Sequence, residues 1–145
     1  IRVTNVICII YCCSFTVSFS TRVTGLIGHN VTLTCRYDAK TYGVLSFCWG
    51  KDRGTIPNRG CANEVLKTDG TSVISRLSER YLLMGNLGRG DVSLTIRQVE
   101  EQDSGVYGCR VEIPGWFNDQ KRHVTLKVNA GETKTNVHKI SSMFS

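Results

Sequence analysis

Short runs in which apolar and polar residues alternate recur between Thr21 and Val128. Val31-Thr32-Leu33-Thr34-Cys35, Val92-Ser93-Leu94-Thr95-Ile96 and Val124-Thr125-Leu126-Lys127-Val128 are the cleanest. Neighbouring side chains of a strand point to opposite faces, so alternation over about four to eight residues predicts strands that are buried on one side and wet on the other. Turn-forming clusters separate these runs, as at Lys67-Thr68-Asp69-Gly70 and Gly88-Arg89-Gly90-Asp91. No long helical period and no repeat of solenoid length interrupts the series. The pattern predicts an all-β sandwich.

Both ends depart from it. Val6 to Val17 is a mainly apolar run behind one charge, Arg2, with the small residues Ser18 and Ser20 after it. That layout predicts a secretory signal peptide over residues 1–20, because the run is shorter than the roughly 20 apolar residues that a membrane span needs. The alternative is a buried first strand. After Val128 the chain turns polar and loses strand periodicity, so residues 130–145 are expected to begin a stalk and residues 21–129 to form one domain.

The cysteines bear on the same compartment. Of 7, three lie in the leader (Cys8, Cys12, Cys13) and four remain: Cys35, Cys48, Cys61 and Cys109. An even set behind a secretory leader implies disulfides formed in an oxidising compartment. The spacings lack the paired CxxC of structural zinc sites. Asn30-Val31-Thr32 is an N-glycosylation acceptor sequence and makes Asn30 a candidate glycan site. The expected setting is the extracellular side of a single-pass cell-surface protein whose span lies outside this sequence, or a secreted form.

Composition excludes little beyond disorder: 41% of the 145 residues are hydrophobic and 21% are charged. The net charge of +6 is spread along the chain without an aromatic-interleaved basic platform, so nucleic acid is not an expected partner. His29, His123 and His138 are scattered, and no Ser-His-Asp or paired-carboxylate constellation stands out. The expectation is a binding domain and not an enzyme.

Cys35 at the end of its alternating run, Trp49 soon after it and Asp103-Ser104-Gly105-Val106-Tyr107-Gly108-Cys109 together resemble the immunoglobulin superfamily. The resemblance implies a variable-type immunoglobulin sandwich in which Cys35 and Cys109 bridge the sheets, Trp49 packs on the bridge and Tyr107 forms the tyrosine corner. It also implies that Arg80 pairs with Asp103 at the bottom of the sandwich. Cys48 and Cys61 are then expected to form the second of two disulfides, folding the loop after the Trp49 strand back onto the sheet.

The loops narrow the resemblance. Cys48-Trp49-Gly50-Lys51, Thr68-Asp69-Gly70, Arg80-Tyr81, Gly90 to Ile96 and above all Arg110-Val111-Glu112-Ile113-Pro114-Gly115-Trp116-Phe117-Asn118-Asp119 resemble the T-cell immunoglobulin and mucin-domain family over about Leu26 to Val128. The likeness is greatest to its phosphatidylserine-receptor branch on phagocytes. That family usually carries a third bridge, from the loop after the Trp strand to a cysteine just before the one at Cys109. Here the segment Arg53-Gly54-Thr55 and Gly108 stand in those places, so both partners are absent together.

Residues 115–119 join the last two strands, where a hairpin tip is exposed. Trp116 and Phe117 there would expose two large aromatic side chains unless something apolar receives them. Asn118 and Asp119 offer an amide oxygen and a carboxylate, hard ligands suited to calcium. An aromatic wedge beside a cation site suggests an anionic lipid headgroup. The resemblance implies that the side chains of Asn118 and Asp119 and the carbonyls of Ile113 and Gly115 hold a calcium ion, and that Trp116, Phe117, Asn118 and Asp119 engage phosphatidylserine for recognition and engulfment of apoptotic cells. The competing expectation is a protein-binding immune co-receptor domain, with ligands of the immunoglobulin superfamily and no lipid. Arg89-Gly90-Asp91 is an integrin-type tripeptide, but Asp91 is expected to open a strand instead.

Overall fold

The computed structural model describes residues 21–52 and 60–131. The expected leader, most of the expected stalk and the Arg53-Gly54-Thr55 segment lie outside these residues. Among the described residues, nine strands form two sheets: β1 (Thr21–Leu26), β2 (Val31–Leu33), β3 (Phe47–Asp52), β4 (Glu64–Thr68), β5 (Val73–Arg76), β6 (Tyr81–Leu82), β7 (Leu94–Ile96), β8 (Gly105–Val111) and β9 (Gln120–Asn129). One sheet has the order β1-β9-β8-β3-β4-β5 and the other β2-β7-β6. β1 runs parallel to β9, while the β3, β8 and β9 neighbours are antiparallel.

Alternation places the core. Val124, Leu126 and Val128 of β9 are buried, as are Leu33 of β2 and Leu94 and Ile96 of β7. Trp49 and Tyr107 are fully covered at the centre. The Trp49 indole N–H would be costly to bury alone, and it donates to the Val92 carbonyl at 2.7 Å. Cys35 and Cys109 are bridged across the sheets, and Trp49 lies opposite Cys109 in the β3–β8 register. Cys48 and Cys61 form the second bridge. Both expected pairings are present.

The bottom of the sandwich is held by charge. Arg80 Nη1 and Nη2 each donate to an oxygen of Asp103 at 2.7 Å. The Asp103 carboxylate also accepts from the Glu100 amide at 2.8 Å, closing the short 3-10 turn Glu101–Asp103. The Tyr107 hydroxyl donates to the Asp103 carbonyl at 2.6 Å, which completes the expected tyrosine corner. Burial pushes the Tyr107 phenol well above its ordinary pKa, so it stays protonated as that bond requires.

Local structure differs from the sequence expectation in three places. Strand β2 ends at Leu33, so Cys35 lies beyond it, where its amide donates to the Ser93 hydroxyl oxygen at 3.1 Å. Asp91 makes an isolated bridge to Arg36, and β7 begins only at Leu94. The cause is local: Asp91 Oδ1 accepts from the Ser93 hydroxyl at 2.6 Å and from its amide at 3.2 Å, a turn that competes with the ladder. That carboxylate is committed within its own turn, which weighs against the integrin tripeptide. Finally, Ala39–Tyr42 forms one helical turn, α1, capped by Asp38, whose side chain accepts from the Thr41 amide.

Candidate functional site

β8 and β9 are joined by residues 112–119, with Val111 opposite Gln120 and Arg110 opposite Lys121 in the ladder. The loop stands at the same end of the sandwich as the β2–β3 connection, since the Glu112 amide donates to the Ser46 carbonyl at 2.9 Å and the Gln120 side chain to the Arg36 carbonyl at 2.7 Å. At its tip Trp116 is 92% exposed and Phe117 101% exposed. Neither folds back as a small core. Gly115 has φ +118°, a conformation that suits glycine, and Phe117 sits at φ +53° in the left-handed region. A bulky residue held there costs on the order of 1–3 kcal/mol, and such outliers cluster where a ligand is gripped.

The polar residues of the tip are ordered from below. The Asn118 amide nitrogen donates to the Pro114 carbonyl at 2.9 Å, which leaves its oxygen for another partner. Asp119 Oδ2 accepts from Arg110 Nε at 2.8 Å. Arg110 rises from the outer face of β8 and is itself buried; its Nη1 donates to the Gly60 carbonyl at 3.1 Å. One guanidinium therefore ties the hairpin loop to the segment that Cys48–Cys61 pins down. That segment can lie flat because Gly50 has no side chain: a Cβ there would collide with the Ala62 carbonyl. Lys51 and Asn63 fasten it further through two hydrogen bonds at 3.1 Å.

Where the third family bridge would stand, Gly108 lies opposite Gly50 on β3 and His123 on β9. A shallow depression on the outer sheet face is lined there by Gly50, Cys61, Ala62, Gly108 and His123 among others. The pinned segment keeps its place through Cys48–Cys61 and Arg110. Among the described residues no group of three or more His, Cys, Asp and Glu side chains could hold a metal. Asp119 contributes one carboxylate to this loop, next in sequence to Asn118, whose amide oxygen is open, and the carbonyls of Ile113 and Gly115 belong to the same loop. These are hard oxygens, the donor class that calcium takes and that soft metals do not. Their chemistry fits calcium, with too few of them to fill its shell.

Comparison with known proteins bears on what such a loop belongs to. The family model for the immunoglobulin V-set domain matches residues 18–129. T-cell immunoglobulin and mucin domain-containing protein 4 of Homo sapiens is 49% identical over 119 residues, covering 82% of this chain and 31% of that protein. Hepatitis A virus cellular receptor 1 homolog of Mus musculus is 51% identical over 107 residues, covering 73% of this chain and 34% of that protein. The solved structure of Tim-1 superposes with a TM-score of 0.73 at 46% identity, over 79% of this chain and 96% of that one. The chain belongs to the T-cell immunoglobulin and mucin-domain family, as a V-set domain. It spans about a third of the length of the curated relatives it matches. A solved structure of Tim-4 in complex with phosphatidylserine superposes on this V-set domain with a TM-score of 0.69 at 47% identity, covering 76% of this chain and 99% of that one.

Within this V-set domain, the sequence reading placed Trp116, Phe117, Asn118 and Asp119 in one loop, and they are in one loop. It missed Arg110. The clue was the hairpin register, which carries Asp119 back beside the outer face of β8 once Val111 is set opposite Gln120. Asn30, the candidate glycan site, is exposed before β2; its side-chain oxygen accepts from the Gln98 amide at 3.1 Å, and its nitrogen makes no hydrogen bond among the described residues.

Proposed function

We propose that this domain is the lipid-recognising part of a cell-surface receptor, binding phosphatidylserine in a calcium-dependent way on apoptotic cells that are then engulfed. The observation that carries the reading is the exposure of Trp116 and Phe117 at one loop tip, directly followed by Asn118 and Asp119. Apolar surface of that size on a rigid hairpin is stabilised by entering an apolar phase. The bilayer interface can take both rings while the polar residues behind them meet the headgroups. The relative known in complex with phosphatidylserine supports the choice of lipid.

In this mechanism the chain supplies position and partial ligation. Trp116 and Phe117 anchor the tip; the side chains of Asn118 and Asp119 and the carbonyls of Ile113 and Gly115 would hold calcium. When bound, that ion supplies the positive charge that joins the lipid phosphate and carboxylate to the loop. Lys121 and Arg122, exposed at the start of β9, add about 1 kcal/mol each at an anionic surface. Arg110 orients Asp119 from below.

Two substitutions separate these roles. Asp119→Ala removes the one charged ligand, so its vesicle binding should fall to the level of chelated wild type and respond little to further chelation. Trp116→Ala should keep binding of the soluble headgroup while membrane affinity drops roughly thirtyfold, the equivalent of about 2 kcal/mol. Vesicle sedimentation and headgroup titration measure the two quantities. Wild-type strength and full calcium dependence in Asp119→Ala would contradict the metal assignment and favour a protein ligand.

A further inference from the structure

The charge balance of the loop has a feature that lipid binding alone does not require. Asp119, the carboxylate that would face calcium, is already paired with Arg110 at 2.8 Å. Arg110 cannot swing away at little cost. Its side chain is only 10% exposed, and Gly60 on the pinned segment holds its other end. From Arg110 to Arg122 the hairpin carries three cationic side chains (Arg110, Lys121, Arg122) and two anionic ones (Glu112, Asp119), a net single positive charge. A divalent cation entering the bare loop therefore meets no net negative charge from this hairpin. An anionic headgroup reverses that balance by bringing its own phosphate and carboxylate.

We propose that Arg110 sets the calcium affinity of the lipid-free domain: by neutralising Asp119 it keeps the loop weak for the ion alone, so that ion and anionic headgroup bind well only together. This rests on the phosphatidylserine reading above. The coupling is reciprocal by linkage, so whatever Arg110 withholds from calcium alone appears as a larger gain when the headgroup is present. Its consequence is selectivity for a surface. Calcium in free solution does not load the receptor, and a membrane without the acidic headgroup does not complete the site.

The proposal separates charge from shape. Arg110→Lys keeps the cation and removes the guanidinium fork; Arg110→Gln keeps a donor for Asp119 and removes the charge. Calcium is titrated calorimetrically into the full chain without lipid, then with soluble glycerophosphoserine. Arg110→Gln is expected to bind calcium alone roughly tenfold more tightly than wild type, the scale expected when a unit charge is removed from a partly buried site. Its gain from added headgroup should shrink by a similar factor. Arg110→Lys should stay within about threefold of wild type in both, since its charge remains. Lys121→Gln, an exposed neighbour opposite Arg110 in the ladder, should tighten calcium binding about twofold to threefold without touching the buried pair, and decides the matter if Arg110→Gln does not fold.

Unchanged or weaker calcium binding in folded Arg110→Gln would overturn the electrostatic role and leave Arg110 a structural clamp. Equal tightening in Arg110→Lys would overturn it as well, because shape and not charge would then be the variable. Wild-type vesicle binding that ignores calcium would instead remove the underlying reading.

Discussion

A Trp116→Ala/Phe117→Ala double variant is expected to lose at least a hundredfold in affinity for phosphatidylserine vesicles while melting within about 2 °C of the wild type. Full burial of each ring is worth roughly 1.5–3 kcal/mol. Even the lower end of that range for both gives about 3 kcal/mol, which is about two decades of affinity. Stability is spared because the rings are 92% and 101% exposed, so the folded domain loses almost no packing with them. Vesicle sedimentation gives the affinity and calorimetry the melting temperature. A loss below fivefold would place the anchor elsewhere on the domain.

The second large effect concerns the frame that holds the loop. Asp103→Ala is expected to destabilise the domain by about 3 kcal/mol, the lower end of the range for breaking a buried pair, because Arg80 keeps partial contact with water at 28% exposure. For a domain of this size that lowers the melting temperature by roughly 10–20 °C. The loss should depend on pH. Burial alone raises the Asp103 carboxyl, but the hydrogen bonds from Arg80 and the Glu100 amide and the nearby charges of Arg80 and Lys51 outweigh it, holding the group below its ordinary value of 3.8. A depressed carboxyl contributes its stability in full above the unfolded value and loses it as pH falls through the folded one. The gap between wild type and Asp103→Ala should thus be constant near neutrality and shrink below about pH 4. Denaturant titrations at several pH values measure it; a gap that widened with acid would refute the assignment.

Much of the frame was legible because the strands obey a simple period. Val31 to Leu33 and Val124 to Val128 alternate as a half-buried strand must, and the spacing of Cys35, Trp49, Tyr107 and Cys109 resembles the immunoglobulin sandwich closely enough to fix the bridges and the corner. Strand ends were less legible. Asp91 and Ser93 satisfy each other within a turn and delay β7 to Leu94, a contest between side-chain and ladder hydrogen bonds that alternation does not register. The single turn α1 is too short to show a helical period, and its one signal is the Asp38 cap three residues before Thr41.

The site divides in the same way. Exposure of Trp116 and Phe117 could be read from their place at a hairpin tip. The pairing of Arg110 with Asp119 was harder to read, because the hairpin register that hints at it has to be combined with the placement of the pinned segment. The conformation of Phe117 was equally hidden: nothing in its identity announces a left-handed backbone, which non-glycine residues of that bulk rarely adopt.

Flotation of the full chain with vesicles that do or do not contain phosphatidylserine, each with calcium and with chelator, tests the central claim most directly. The expected result is that the protein floats only when phosphatidylserine and calcium are both present. Flotation independent of calcium, or equal with vesicles lacking the acidic lipid, would contradict it.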